Sequence, residues 1–204
     1  MRWRIICGFL LLGMGALGLA LVGLVLHSGW LHTELWILAP FVLMAAMSAF
    51  VVLTAPAVAF VAVRGRSGVI SATCLLLVAG VVTPAVLTVS PDLRARARFY
   101  LERPAFGRVV ELARAGRLAS GSYHGARLPG ELCFVSATCG VVTWRAEDGG
   151  RVLFVPDRVG IPDDAVGYAH FTGAPRGAYD GFGMRICPSF ELADGWWWLD
   201  ACGG

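Results

Sequence analysis

Three apolar runs without an acidic or basic side chain fill most of the first ninety residues, at 5–26, 35–63 and 69–89. About 20 apolar residues in a helix cross a hydrocarbon core of roughly 30 Å. Lipid offers no partner to backbone N–H and C=O groups, so such runs fold as helices. The sequence therefore predicts a three-helix transmembrane region over residues 1–90. It predicts a soluble α+β domain, a helix plus an antiparallel β meander, over residues 91–204.

Charge divides the chain in the same place. Before Ser90 the charged residues are Arg2, Arg4, Glu34, Arg64 and Arg66; after it come 13 Arg and 13 Asp or Glu. The net charge of +3 thus belongs to the apolar part. A neutral C-terminal region lacks the basic face that nucleic acid requires, so nucleic acid is not expected as a partner. Lys, Asn and Gln are absent, which fits a GC-rich bacterial genome and removes both N-glycosylation sequons and catalytic lysines.

Within the runs, Pro40 falls in the first turns of its helix, where the missing N–H costs little, while Pro56 should kink the same helix. Pro84 lies near the end of the third. Arg2 and Arg4 would suit a signal peptide, but the apolar stretch after them is too long and no small-x-small cleavage site follows, so an uncleaved helix is expected. Trp3, Trp30 and Trp36 fall at the expected water boundaries, which amphipathic indoles favour. Gly13, Ala16, Ala20 and Gly23 recur on one side of the first helix and are expected to pack within the three-helix unit. Polar residues such as Thr54 and Thr88 can bond to helix backbone. Ion-coupled transport needs charged groups at depth. Their absence makes the region an anchor rather than a conduit.

Arg2 and Arg4 precede the first run, Arg64 and Arg66 fill the second loop, and the first loop has no Arg. The positive-inside rule then places the N-terminus in the cytoplasm and residues 91–204 outside. Arg94, Arg96 and Arg98, just after the third run, argue the other way. Cysteine supports the first orientation. Cys7 and Cys74 lie in the apolar runs as small fillers. Cys133, Cys139, Cys187 and Cys202 all lie in the soluble domain, as two disulfides in an oxidising compartment require, with three pairings open. The step from Cys133 to Cys139 matches zinc spacing poorly.

In the soluble domain a helix is predicted over 91–103, with Phe99 and Tyr100 near the surface. A second should start at Pro104 and end at Gly116, with Phe106, Val109, Val110 and Ala113 as its apolar face. Strands are expected at 132–136, 141–146, 151–156, 165–171, 183–187 and 196–199, with a hairpin turn at 147–150.

Candidate chemistry is sparse. Ser120 or Ser122 with His124 sits in a Gly-rich loop without a nucleophile elbow. His124 and His170 lack a third metal ligand. His27, His32 and Glu34 read as interfacial polar residues. Asp157, Asp163 and Asp164 could hold calcium or act as acid and base, but 162–164 reads better as a turn. No catalytic, metal or cofactor set emerges.

The run Trp196, Trp197 and Trp198 is the most unusual feature. On a strand Trp196 and Trp198 point one way and Trp197 the other. One side is expected in the core. The sharper expectation is an aromatic surface, with Arg185 nearby, for a glycan, lipid headgroup or other ligand. The resulting expectation is a bacterial plasma-membrane protein whose partners are the lipid bilayer and an envelope protein or glycan. Its outside domain acts as a non-enzymatic binding or structural component. The alternatives are an envelope enzyme around His170, Asp163 and Asp164, and a cytoplasmic sensory or partner-binding tail.

Overall fold

The computed structural model describes residues 2–64, 67–118, 125–145, 149–160 and 164–203. Ser120, Ser122, His124, Asp163, Arg66 and much of the turn at 147–150 lie outside the described residues, as do the side chains of Trp3 and Trp36. The chain divides into two compact units, residues 1–26 with 37–94, and residues 27–36 with 95–204.

The first unit contains helices α1 (Arg2–Leu26), α3 (Ala39–Arg64) and α4 (Ser67–Val89). Within them, Ile5–Leu26, Ala39–Phe60 and Ile70–Val89 are long and apolar enough to cross a membrane, at 22, 22 and 20 residues. At 1.5 Å per residue they run to about 30 Å or slightly more. Each of the three helices packs on the other two. The side of α1 that does so carries Cys7, Met14, Gly18, Leu21 and Val25. This corrects the expectation for the small-residue face: Ala16 and Ala20 are exposed, and a Cβ at Gly13 or Gly23 would meet open space. Close approach occurs at Gly18 instead, 3.6 Å from its added Cβ to the Gly80 backbone, with the Phe50 ring filling the gap. A Cβ at Gly80 would strike that ring. Thr54 and Thr88 donate to the carbonyls of Phe50 and Pro84 at 2.7 and 2.8 Å, so their hydroxyls are satisfied by their own helices.

The second unit begins with α2 (Ser28–Leu35), a helix where the sequence suggested a loop. It resumes at Ala95, within α5 (Pro91–Arg114). The expected break at Pro104 does not occur. Ala95, Phe99, Phe106, Val109 and Val110 keep one helical phase through the proline, and burying that single stripe outweighs one lost hydrogen bond. Phe99, expected near the surface, is fully buried. Gly116, at φ +65°, ends α5 as predicted: its N–H donates to Ala113 and that of Arg117 to Leu112, which satisfies the last carbonyls.

Seven strands follow: β1 (Ala126–Arg127), β2 (Gly140–Arg145), β3 (Arg151–Gly160), β4 (Asp164–Phe171), β5 (Tyr179–Gly181), β6 (Met184–Glu191) and β7 (Trp196–Ala201). They form one antiparallel sheet, ordered β1-β2-β3-β4-β7-β6-β5. The first four strands make a meander and the last three another. Because β7 rather than β5 pairs with β4, the join has Greek-key form. Both sides of the sheet are buried. Leu153, Val155, Val166, Tyr168, Trp196 and Trp198 meet α5, while Val152, Phe154, Ala165, Ala169, Ile186 and Leu199 form a second core opposite. Period-two alternation with both faces covered explains why β3 reads as an unbroken apolar run.

Of residues 132–136, predicted as a strand, 132–135 belong to a 3-10 segment, Gly130–Val135. Cys133 and Cys139 are bonded with Cα atoms 4.3 Å apart. Six residues of strand would separate them by about 20 Å, so the chain must turn. Cys187 and Cys202 form the second pair, Cα atoms 5.0 Å apart, across β6 and the end of β7. The expected four cysteines thus lie in two bonded pairs. Among the described residues Cys7 and Cys74 are free.

Candidate functional site

Three segments distant in sequence meet at Arg98. This arginine lies on the core side of α5 and is only 3% exposed. Its Nη1 donates to Asp157 on β3, its Nε to Glu102 one turn along α5 at 3.3 Å, and its Nη2 to the Phe134 carbonyl at 2.7 Å. The Tyr168 ring lies 5.8 Å beneath the guanidinium and its hydroxyl donates to the Ala95 carbonyl at 3.2 Å. Burial acts to lower the pKa of Arg98, but Asp157, Tyr168 and Glu102 outweigh it and hold the guanidinium above its ordinary value. The charge is therefore permanent and matched by anionic and dipolar partners.

Asp157 follows Leu153 and Val155 on the α5-facing side of β3, where it is 1% exposed. The β3–β4 register slips between Pro156 and Arg158, which leaves Asp157 as the extra residue of a bulge. Two glycines make room. A Cβ at Gly167 would collide with Val155 and Asp157 backbone, and one at Gly29 with the Asp157 carbonyl. Gly29 brings α2 onto the bulge, and the Val159 N–H donates to Thr33 Oγ1 at 3.0 Å. The bulge is further tied by Ala137, whose N–H donates to Pro156 at 2.8 Å. His27, just before α2, places Nε2 at 2.8 Å from Glu102. The result is a chain of polar contacts, His27–Glu102–Arg98–Asp157, bracing α2, α5, β3 and the 3-10 segment.

Beside it lies a mostly apolar depression of about 330 Å³, lined by His27, Trp30, Arg98, Phe134, Ser136 and Ala137 among others. That is near the lower end of small-ligand sites. Ser136 is not poised as a nucleophile: its hydroxyl donates to the Gly140 carbonyl at 2.7 Å and accepts the Gly140 N–H at 3.2 Å, holding the turn.

The residues singled out by sequence are dispersed. Trp196 and Trp198 are 2% and 1% exposed and pack beneath α5, so they leave the expected aromatic surface. Trp197 is half-buried against the opposite core. It pairs with Glu191 on β6, and Arg185 is exposed six positions away on that strand, about 20 Å along it. The expected surface of Trp197 with Arg185 is therefore not assembled. Asp164 opens β4 and His170 lies six positions on, so they do not share a site either. Asp164 approaches Arg158 at 3.9 Å, whereas His170 stands edge-on to Trp196. Burial and nearby Arg114 lower the His170 pKa from its ordinary 6.5. His32 bonds to its own helix at the Ser28 carbonyl, 2.8 Å away, whereas His27 contacts Glu102. Among the described residues no three His, Cys, Asp or Glu side chains gather as a metal site would require.

Sequence reasoning used Arg98 only as a sign of orientation and read Asp157 as part of an acidic turn region. A charged residue in phase with Ala95, Phe99 and Phe106 on one helical stripe was the signal available for Arg98. Asp157 keeps the two-residue phase of Leu153 and Val155, but nothing local shows that Arg98 of α5 covers that side. No protein-family model, curated protein or solved structure matches the chain.

Proposed function

We propose that this chain is a multi-pass protein of a bacterial plasma membrane. In this reading its N-terminus is cytoplasmic and its C-terminal domain is an outside, non-enzymatic binding or structural component of the envelope. The observation that carries this reading is the pairing of all four domain cysteines, Cys133 with Cys139 and Cys187 with Cys202. Structural disulfides persist in oxidising compartments and are rare in a reducing cytoplasm. Two of the three arginines that speak for the opposite orientation, Arg96 and Arg98, also have contacts within the fold. Arg98 is the buried hub of the chain of polar contacts, and Arg96 lies 4.1 Å over the Phe190 ring and donates to the Glu191 carbonyl. Both side chains therefore serve the fold whichever side the domain faces.

The non-enzymatic reading is supported by where the polar groups go. The candidates for chemistry, Asp164 and His170, are held apart along β4, while the buried charges are spent on one another. Three helices without acidic or basic side chains in their spans suit an anchor. The partners this reading admits are the lipid bilayer and a further envelope protein or glycan.

A topology reporter fused after Gly204 tests the reading. A reporter enzyme that matures only outside the cytoplasm should be active there, and one that fluoresces only in the cytoplasm should be dark. The reverse pattern would assign the domain to a cytoplasmic sensory or partner-binding role.

A further inference from the structure

Two large aromatic side chains of the second unit are exposed beside the chain of polar contacts: Trp30 at 51% and Phe134 at 48%. Both line the same depression, together with Ala137 and the apolar edge of Cys133. Neither is a loosely placed surface residue. The peptide of Phe134 is fixed by the bond from Arg98 to its carbonyl at 2.7 Å. Trp30 is fixed from the other side, because its neighbours Ser28, Gly29 and Leu31 are buried as α2 seats on the β3 bulge. The fold thus presents two rings outward on a rigid base. In water that arrangement carries an unrecovered hydrophobic cost.

Chain connectivity says what meets them. The first candidate span ends at Leu26 and the second begins at Ala39, so α2 fills almost the whole link between two spans. Trp30 is four residues from Leu26, at most about 14 Å of fully extended chain and roughly 6 Å of rise in a helix. The headgroup layer on each side of a bilayer is itself about 5–8 Å thick. With residues 28–35 helical, the smaller of these reaches applies and keeps Trp30 within the layer. Indole prefers that layer, with its ring among upper acyl carbons and its N–H among polar groups. Glu34, exposed one turn further along α2, keeps this side at headgroup level rather than deeper. Phe134 lines the same depression as Trp30, so within the second unit the two rings open onto one side.

We propose that Trp30 and Phe134 form an aromatic foot on the bilayer, and that the depression between them accepts the headgroup and upper acyl region of a phospholipid. The inference rests on the three apolar helices being membrane spans, and its test separates the two claims.

The full chain, carrying photoreactive benzoylphenylalanine at one position at a time, is reconstituted into vesicles of phosphatidylcholine and phosphatidylglycerol, irradiated and weighed by intact-mass spectrometry. Phe134→benzoylphenylalanine and, independently, Trp30→benzoylphenylalanine should each gain the mass of one phospholipid. Leu19→benzoylphenylalanine, on the exposed side of α1, should gain it as well. Arg176→benzoylphenylalanine should not: it precedes β5, four strands across the sheet from β3, on which α2 sits. Lipid adducts at position 19 with none at 30 and 134 would overturn the foot while leaving the spans intact. Adducts at none of these positions would overturn both. Equal yields at 134 and 176, or adducts at 134 to a second copy of the chain, would also overturn it.

Discussion

Arg98 and Asp157 are buried at 3% and 1% exposure, and neither has water to fall back on. Breaking such a pair leaves one uncompensated charge, at roughly 3–5 kcal/mol, while replacing both by apolar residues is often nearly neutral. Asp157→Ala should therefore lower the unfolding free energy of the detergent-solubilised chain by about that amount. Arg98→Met combined with Asp157→Leu should lower it by much less. Equal losses in the single and double variants would mean that the pairing itself is not what matters. His170 sets a pH dependence. Burial, then Arg114, lowers its pKa from 6.5, so the unfolded chain holds the proton more tightly. Its contribution is present above pH 6.5 and declines as the pH falls from there toward the lowered folded value. His170→Gln should remove that component. Thermal unfolding of the variant should then weaken less on mild acidification than that of the parent chain, and identical slopes would refute the assignment.

At the scale of elements, the bulge in β3 depends on a helix more than a hundred residues earlier. Gly29 in α2 abuts the Asp157 carbonyl so closely that any side chain must displace backbone. Gly29→Ala should destabilise the second unit by about 1–3 kcal/mol, the usual range for overpacking, whereas Gly130→Ala, where a Cβ meets nothing, should cost far less on that account. Urea unfolding of the two variants compares them directly. The same dependence explains what could be read in advance. The apolar spans, the Gly116 cap and most strands follow local rules of length, phase and turn chemistry, and they were legible. Pro104 misled because a local breaker was weighed above the continuous stripe from Ala95 to Val110. The 3-10 segment misled because Leu132 and Val135 look like strand residues until Cys133 is bonded to Cys139. Of the candidate site, Trp30 was placed at a water boundary, but its partners were hidden. Asp157 and Phe134 become neighbours of Arg98 only through tertiary contacts.

For the whole molecule, each unit has a role that follows from its chemistry. In the proposed reading the three candidate spans, which carry no acidic or basic side chain, supply attachment. Among the described residues the second unit buries both sides of a seven-stranded sheet, links its four cysteines in pairs and braces α2 through the His27–Glu102–Arg98–Asp157 contacts. The central claim, a folded domain on the oxidising side of a membrane, turns on those cysteines. The most direct measurement is thiol mapping of the chain taken from its native membrane. Free thiols are alkylated in denaturant, and the digested protein is analysed by mass spectrometry without reduction. The account predicts peptides linked through Cys133–Cys139 and Cys187–Cys202, with only Cys7 and Cys74 alkylated. Alkylation of all six cysteines would contradict it.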